Sequence, residues 1–97
     1  MNATRSELLE RLRAEAERTV RAVPRARIFV FGSLLRAESW PSDVDVLVVY
    51  ESVSDVILIR ALIEPLYDEM PLHVLYLSRA EEGQLQFVVS QNCVPLA

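Results

Sequence analysis

The sequence predicts an α/β (α+β) domain in which a small mixed β-sheet of three to four strands is flanked by helices. Three observations lead there. Apolar residues recur at helical intervals through residues 4–22 and again through 56–66. Ile28–Phe31, Val44–Tyr50 and Leu72–Leu77 are short apolar runs of strand length. The link between the first two runs is only about a dozen residues with little helical pattern, whereas a parallel crossover needs a real helix. Those two strands are therefore expected to run antiparallel, which makes the sheet mixed.

The first helix is expected from Thr4 to Ala22. Thr4 and Glu7 have capping-box spacing, Leu8, Leu9, Leu12, Ala16, Val20 and Val23 form one apolar stripe, and Pro24 stops it. Ala26–Phe31 reads as a buried strand, Gly32 and Ser33 as a turn, Leu34–Ala37 as one helical turn, and Glu38–Ser42 as a loop held extended by Pro41. In the strand Asp43–Tyr50, Val44, Val46, Val48 and Tyr50 face one way, and Asp43, Asp45, Leu47 and Val49 the other. Apolar residues on both faces call for cover on both sides. Ser54 is the expected cap of the next helix, which Pro65 ends or kinks near Glu64. Leu72–Leu77 is the third strand. Ser78-Arg79-Ala80-Glu81 is a second capping box opening a last helix, with Leu85, Val88 and Val89 as its expected buried side. Asn92 suits a helix stop, and Val94–Leu96 a short edge strand.

Ninety-seven residues suit one domain spanning 1–97, with no room for a second core. Apolar residues make up 52% of the chain and mean hydropathy is +0.21. That is high for a small domain and suits a partner-facing patch or, equally, a dense α/β core. No apolar run approaches the ~20 residues of a membrane span, and Met1–Glu17, rich in Arg and Glu, does not read as a signal peptide. A single cysteine, Cys93, fits a reducing cytoplasm. Residues 1–27 hold seven Arg against four Glu, whereas the remainder holds three Arg against ten acids. An acidic main body argues against nucleic acid as a partner, which needs many phosphate contacts.

The chemistry concentrates in residues 32–45. A Gly-Ser turn leaves one strand, and ten residues later Asp43 and Asp45 open another. Strand residues two apart share a face, so the two carboxylates project together, close to whatever sits beside Gly32 and Ser33. Two neighbouring carboxylates repel, and keeping both ionised calls for a cation between them. A Gly-Ser turn entering a helical turn offers backbone N–H groups and a hydroxyl to an anion. Taken alone, an acid pair at a strand start is an ordinary polar edge; the combination is what points to a triphosphate held with a divalent metal. No G-x-x-x-x-G-K-[ST] occurs, which excludes a P-loop.

Gly32-Ser33-x-x-Arg36 followed by Ser42-Asp43-x-Asp45 at a strand start resembles the signature of the nucleotidyltransferase superfamily related to DNA polymerase beta. The short layout is most similar to the minimal nucleotidyltransferases of the MntA-like group. The resemblance covers roughly Glu7 to Leu96. It implies transfer of a nucleoside monophosphate from an NTP, ATP by family, to a hydroxyl with release of pyrophosphate, using two Mg²⁺ ions held by three carboxylates. It implies Asp43 and Asp45 as catalytic metal ligands, and Gly32, Ser33, Arg36 and Ser42 as nucleotide contacts. It also implies a partner, because such proteins often serve as the antitoxin that adenylylates a helical HEPN-type toxin, in a homo- or hetero-oligomer. Two positions depart from the pattern. Ala37 stands where the family usually has Gly, and His73 stands in the third-strand slot of the third carboxylate, with Asp68 and Glu69 just before the strand as other sources of an acid. The His73 substitution sets up an alternative: a catalytically degenerate domain acting as a binding or antitoxin module.

Overall fold

The computed structural model describes residues 4–35 and 43–97, with the backbone alone at 33 and 34. Helix α1 spans Arg5–Ala22 and opens on the expected capping box between Thr4 and Glu7. It buries Leu8, Leu12 and Ala16 against the sheet. Strand β1 (Arg27–Phe31) leads into a 3₁₀ turn at Gly32–Leu35. Strand β2 (Val44–Tyr50) is followed by α2 (Val53–Ile63), a 3₁₀ turn (Glu64–Asp68) carrying Pro65 in its first positions, and β3 (Leu72–Ser78). Two short helices, α3 (Arg79–Leu85) and α4 (Phe87–Ser90), and the two-residue strand β4 (Val94–Pro95) complete the chain.

The sheet has four strands in the order β3-β2-β1-β4. β1 runs antiparallel to both β2 and β4, and β2 runs parallel to β3, so the sheet is mixed as the connection length predicts. This is an α+β fold with helices on both faces. On one face Ile28, Val30, Val44, Val46 and Val48 pack under α1 and α2. On the other, Phe29, Leu47, Val49 and Leu77 pack with Phe87, Val88 and Cys93. Leu47 and Val48 are fully buried on opposite faces, which accounts for the unbroken apolar run of β2.

Two expectations are corrected. The cap of α2 is Ser52, whose hydroxyl accepts from the Asp55 backbone N–H, and Ser54 lies inside the helix. The α3–α4 stretch does not bury Leu85 and Val89, which are 61% and 76% exposed. Gln86 adopts a left-handed conformation (φ 50°) that breaks one helix into two, so the helical period does not carry across it. Of that expected side, Val88 packs on the core. Asn92 also takes a positive φ of 52° and turns the chain into β4.

Candidate functional site

The two sheet registers meet at Asp45. The antiparallel pairing of β1 and β2 sets Phe31 opposite Asp45, and the parallel pairing of β2 and β3 sets His73 opposite it on the other side. Gly32, the residue after Phe31, is thereby brought against the Asp45 side chain. A Cβ at position 32 would lie 2.5 Å from Oδ2 of Asp45. Gly32 also has φ +75°. Glycine is needed here twice over, for a left-handed backbone and for the approach of a carboxylate. The other carboxylate oxygen, Oδ1, is 3.0 Å from Nδ1 of His73. The Asp45 carboxylate thus spans the space between the end of β1 and the start of β3. Its side chain is 22% exposed, and that of His73 67%.

Asp43, expected as the first residue of the strand, lies instead in the bend that enters β2 and is exposed, so strand alternation does not by itself set it on the face of Asp45. The Val44 backbone N–H, between the two aspartates, donates to the Pro71 carbonyl at 2.8 Å and ties the start of β2 to the start of β3. Ser33 continues the backbone of the 3₁₀ turn after Gly32. Arg36, Ala37, Trp40 and Ser42 fall outside the described residues.

Glu69 and Asp68 are not at this site. Glu69 receives the guanidinium of Arg11 through two bonds of 2.9 Å, tying α1 to the turn before β3. Those hydrogen bonds hold its carboxyl below the usual glutamate range. Asp68 lines a groove with Arg60, Val74 and Tyr76. Val74 and Tyr76 belong to the α1/α2 side of the sheet, opposite the side that His73 shares with Asp45. Among the described residues no group of three or more His, Cys, Asp or Glu side chains is placed to hold a metal ion. Donors for a cation at this end of the sheet are thus few. One or two carboxylates completed by phosphate oxygens are the ordinary environment of Mg²⁺, so a site with few protein donors is the kind that ion accepts. A two-metal centre with three protein carboxylates does not fit the described residues.

The structure adds residues that the sequence did not single out as a site. Ser90, Gln91 and Asn92, at the end of α4, face Gly32 and Leu35 across a cleft of about 360 Å³. Nearby, Phe87 meets Phe31 edge-on at a centroid distance of 5.1 Å. The turn at Gln86 and the pairing of β4 with β1 bring this polar triplet round to β1; the sequence marks the stop at Asn92 and an edge strand at Val94–Leu96, but not the strand that it pairs with.

No helix of the described residues is long and apolar enough to cross a membrane. No curated protein matches the chain. The model of the family described as nucleotidyltransferase domain matches residues 7–92, from the first turn of α1 to the turn before β4. That match takes in the glycine turn, both aspartates and His73, and the chain belongs to the nucleotidyltransferase domain family.

Proposed function

We propose that this chain is a minimal nucleotidyltransferase, working as a single domain in the cytoplasm. It moves a nucleoside monophosphate from an NTP, with ATP as donor, to a hydroxyl acceptor. In this reading Asp43 and Asp45 are the catalytic acids that hold Mg²⁺, and Gly32, Ser33, Arg36 and Ser42 contact the nucleotide. The observation that carries it is the approach of the Asp45 carboxylate to a glycine whose missing side chain leaves the space for it.

In the reaction the acceptor oxygen bonds to the α-phosphorus. The bond from that phosphorus to the oxygen bridging to the β-phosphate breaks, pyrophosphate leaves, and the acceptor hydroxyl gives up its proton. A cation held by Asp43 and Asp45 would supply charge neutralisation at the phosphates. The chain does the positioning. Gly32 and Ser33 bring backbone close to the triphosphate, and the exposed Asp43 and half-buried Asp45 present acidic oxygens at the same sheet end. Ser90, Gln91 and Asn92 offer polar groups to the nucleoside across the cleft.

The acceptor is proposed to lie on a protein partner, a helical HEPN-type toxin for which this chain is the antitoxin. The support is an apolar surface on α2, where Val53, Ile57 and Leu58 are 70%, 64% and 45% exposed. The same surface also favours a second reading, in which the domain has lost turnover and acts only by docking on its partner; an imidazole at position 73 favours that reading as well. Calorimetry with ATP separates the two. A working site binds ATP with Mg²⁺ present and at least about tenfold more weakly in chelator. Equal affinity in both conditions contradicts the enzyme reading.

A further inference from the structure

The sheet has two edges, and only one is blunted. β4 is two residues long and includes Pro95; a short strand and a proline both guard against edge-to-edge pairing. β3 is the other edge, and among the described residues only β2 pairs with it. It runs for seven residues, Leu72–Ser78, with no proline, no Asp, Glu, Lys or Arg, and no bulge in its pairing with β2. A strand paired on one side turns the N–H and C=O of every second residue outward, and nothing in this strand discourages another from taking them. Beside that edge, on the α1/α2 side of the sheet, lies the groove of about 430 Å³ that Val74 and Tyr76 line. Its charged residues, Arg60, Glu64 and Asp68, are all exposed. Arg60 sits over the Tyr76 ring at 5.1 Å, toward the end of the strand, whereas Glu64 and Asp68 belong to the turn that leads into its start. The groove is therefore basic at one end and acidic at the other.

We propose that the β3 edge pairs with the β3 edge of a second copy of this chain, antiparallel about a twofold axis at Leu75, joining two four-stranded sheets into one. A twofold contact must be self-complementary, and this one is. Centred on Leu75, it sets Val74 opposite Tyr76 of the second copy and Tyr76 opposite that copy's Val74, and a β-branched residue facing an aromatic one is a favourable cross-strand pair. The axis also reverses the groove. Arg60 of each copy then meets Glu64 and Asp68 of the other, so opposite charges face each other on both sides of the axis. That match is what selects a copy of this chain over an arbitrary apolar strand. The inference concerns assembly and does not depend on nucleotidyl transfer.

Sedimentation of the full chain reads the assembly. Expected is a reversible dimer that Arg60→Glu weakens by about tenfold or more, because attractions on both sides of the axis become repulsions. Adding Glu64→Arg and Asp68→Arg to the same chain reverses every sign and restores the dimer. Arg60→Glu chains mixed with Glu64→Arg/Asp68→Arg chains form the mixed dimer in preference to either homodimer. The register has its own readout in a Cys93→Ser background. Leu75→Cys gives a disulfide-linked dimer on mild oxidation, since residues facing each other across the axis have Cβ atoms about 4.5–5.5 Å apart. Val74→Cys, set diagonally to its own copy, does not link. A chain that stays monomeric at about 100 µM overturns the inference and leaves the edge to a strand of another protein. A dimer that neither responds to the charge reversal nor links through Leu75→Cys also overturns it, by placing the contact on another surface such as the exposed apolar residues of α2.

Discussion

Asp45→Asn should lower nucleotidyl transfer by about a hundred- to a thousandfold, the usual cost of removing one preorganised electrostatic group from a reaction centre. The substitution is nearly isosteric. An asparagine oxygen can still accept from His73, and the amide occupies the same space beside Gly32. What is lost is the negative charge that, on the proposed reading, would hold a cation against the triphosphate. The fold should be unaffected, because the partly exposed Asp45 lies near the start of β2 while the packing of that strand comes from Val44, Val46, Leu47, Val48 and Val49. Thermal unfolding should stay within about 0.5 kcal/mol of wild type. Combined with Asp43→Asn, transfer of label from ATP to a protein acceptor should vanish. Labelling that persists in the double variant would show that neither aspartate belongs to the reaction.

Gly32→Ala should damage stability and ligand binding together. A left-handed backbone costs an L-residue about 1–2 kcal/mol, and the new methyl would also lie 2.5 Å from Oδ2 of Asp45. Either the turn or the carboxylate must move, for a total of about 1–3 kcal/mol. In a domain of this size that lowers Tm by about 4–8 °C per kcal/mol. Metal-dependent ATP affinity falls because the acid is displaced. A double-mutant cycle separates the two causes: in an Asp45→Ala background the contact is gone, and Gly32→Ala should retain only its backbone cost. An additive cycle would mean that glycine is present for the turn alone and that the approach of Asp45 has no energetic consequence.

The elements that determine this site were legible for local reasons. The length of the β1–β2 connection dictated antiparallel strands, and that pairing is what lays Asp45 beside the residue after Phe31. Both capping boxes marked their helices, and the alternation of β2 separated its acidic side from the side under α1 and α2. The α2 cap was misplaced because Ser52 and Ser54 are chemically equivalent caps and only the path of the chain after Tyr50 chooses between them. The burial of Leu85 and Val89 was misjudged because a helical period assumes an unbroken helix, and a glutamine in a left-handed turn carries no warning in its sequence. The contact of His73 with Asp45 comes from the β2–β3 register, and the cleft residues Ser90, Gln91 and Asn92 arrive through β4. Long-range pairings of this kind cannot be read from periodicity.

The sheet has a second cluster of charge at its opposite end, where Arg25 and Arg79 share Glu51 at 3.4 and 2.7 Å and Arg27 lies over Phe29. A crystal structure with a non-hydrolysable ATP analogue and Mn²⁺ therefore decides where a triphosphate goes. Phosphate oxygens against the Gly32–Ser33 backbone, with the ion bound by Asp45, are the predicted result; a triphosphate seated among Arg25, Arg27 and Arg79, with the two aspartates untouched, would contradict it.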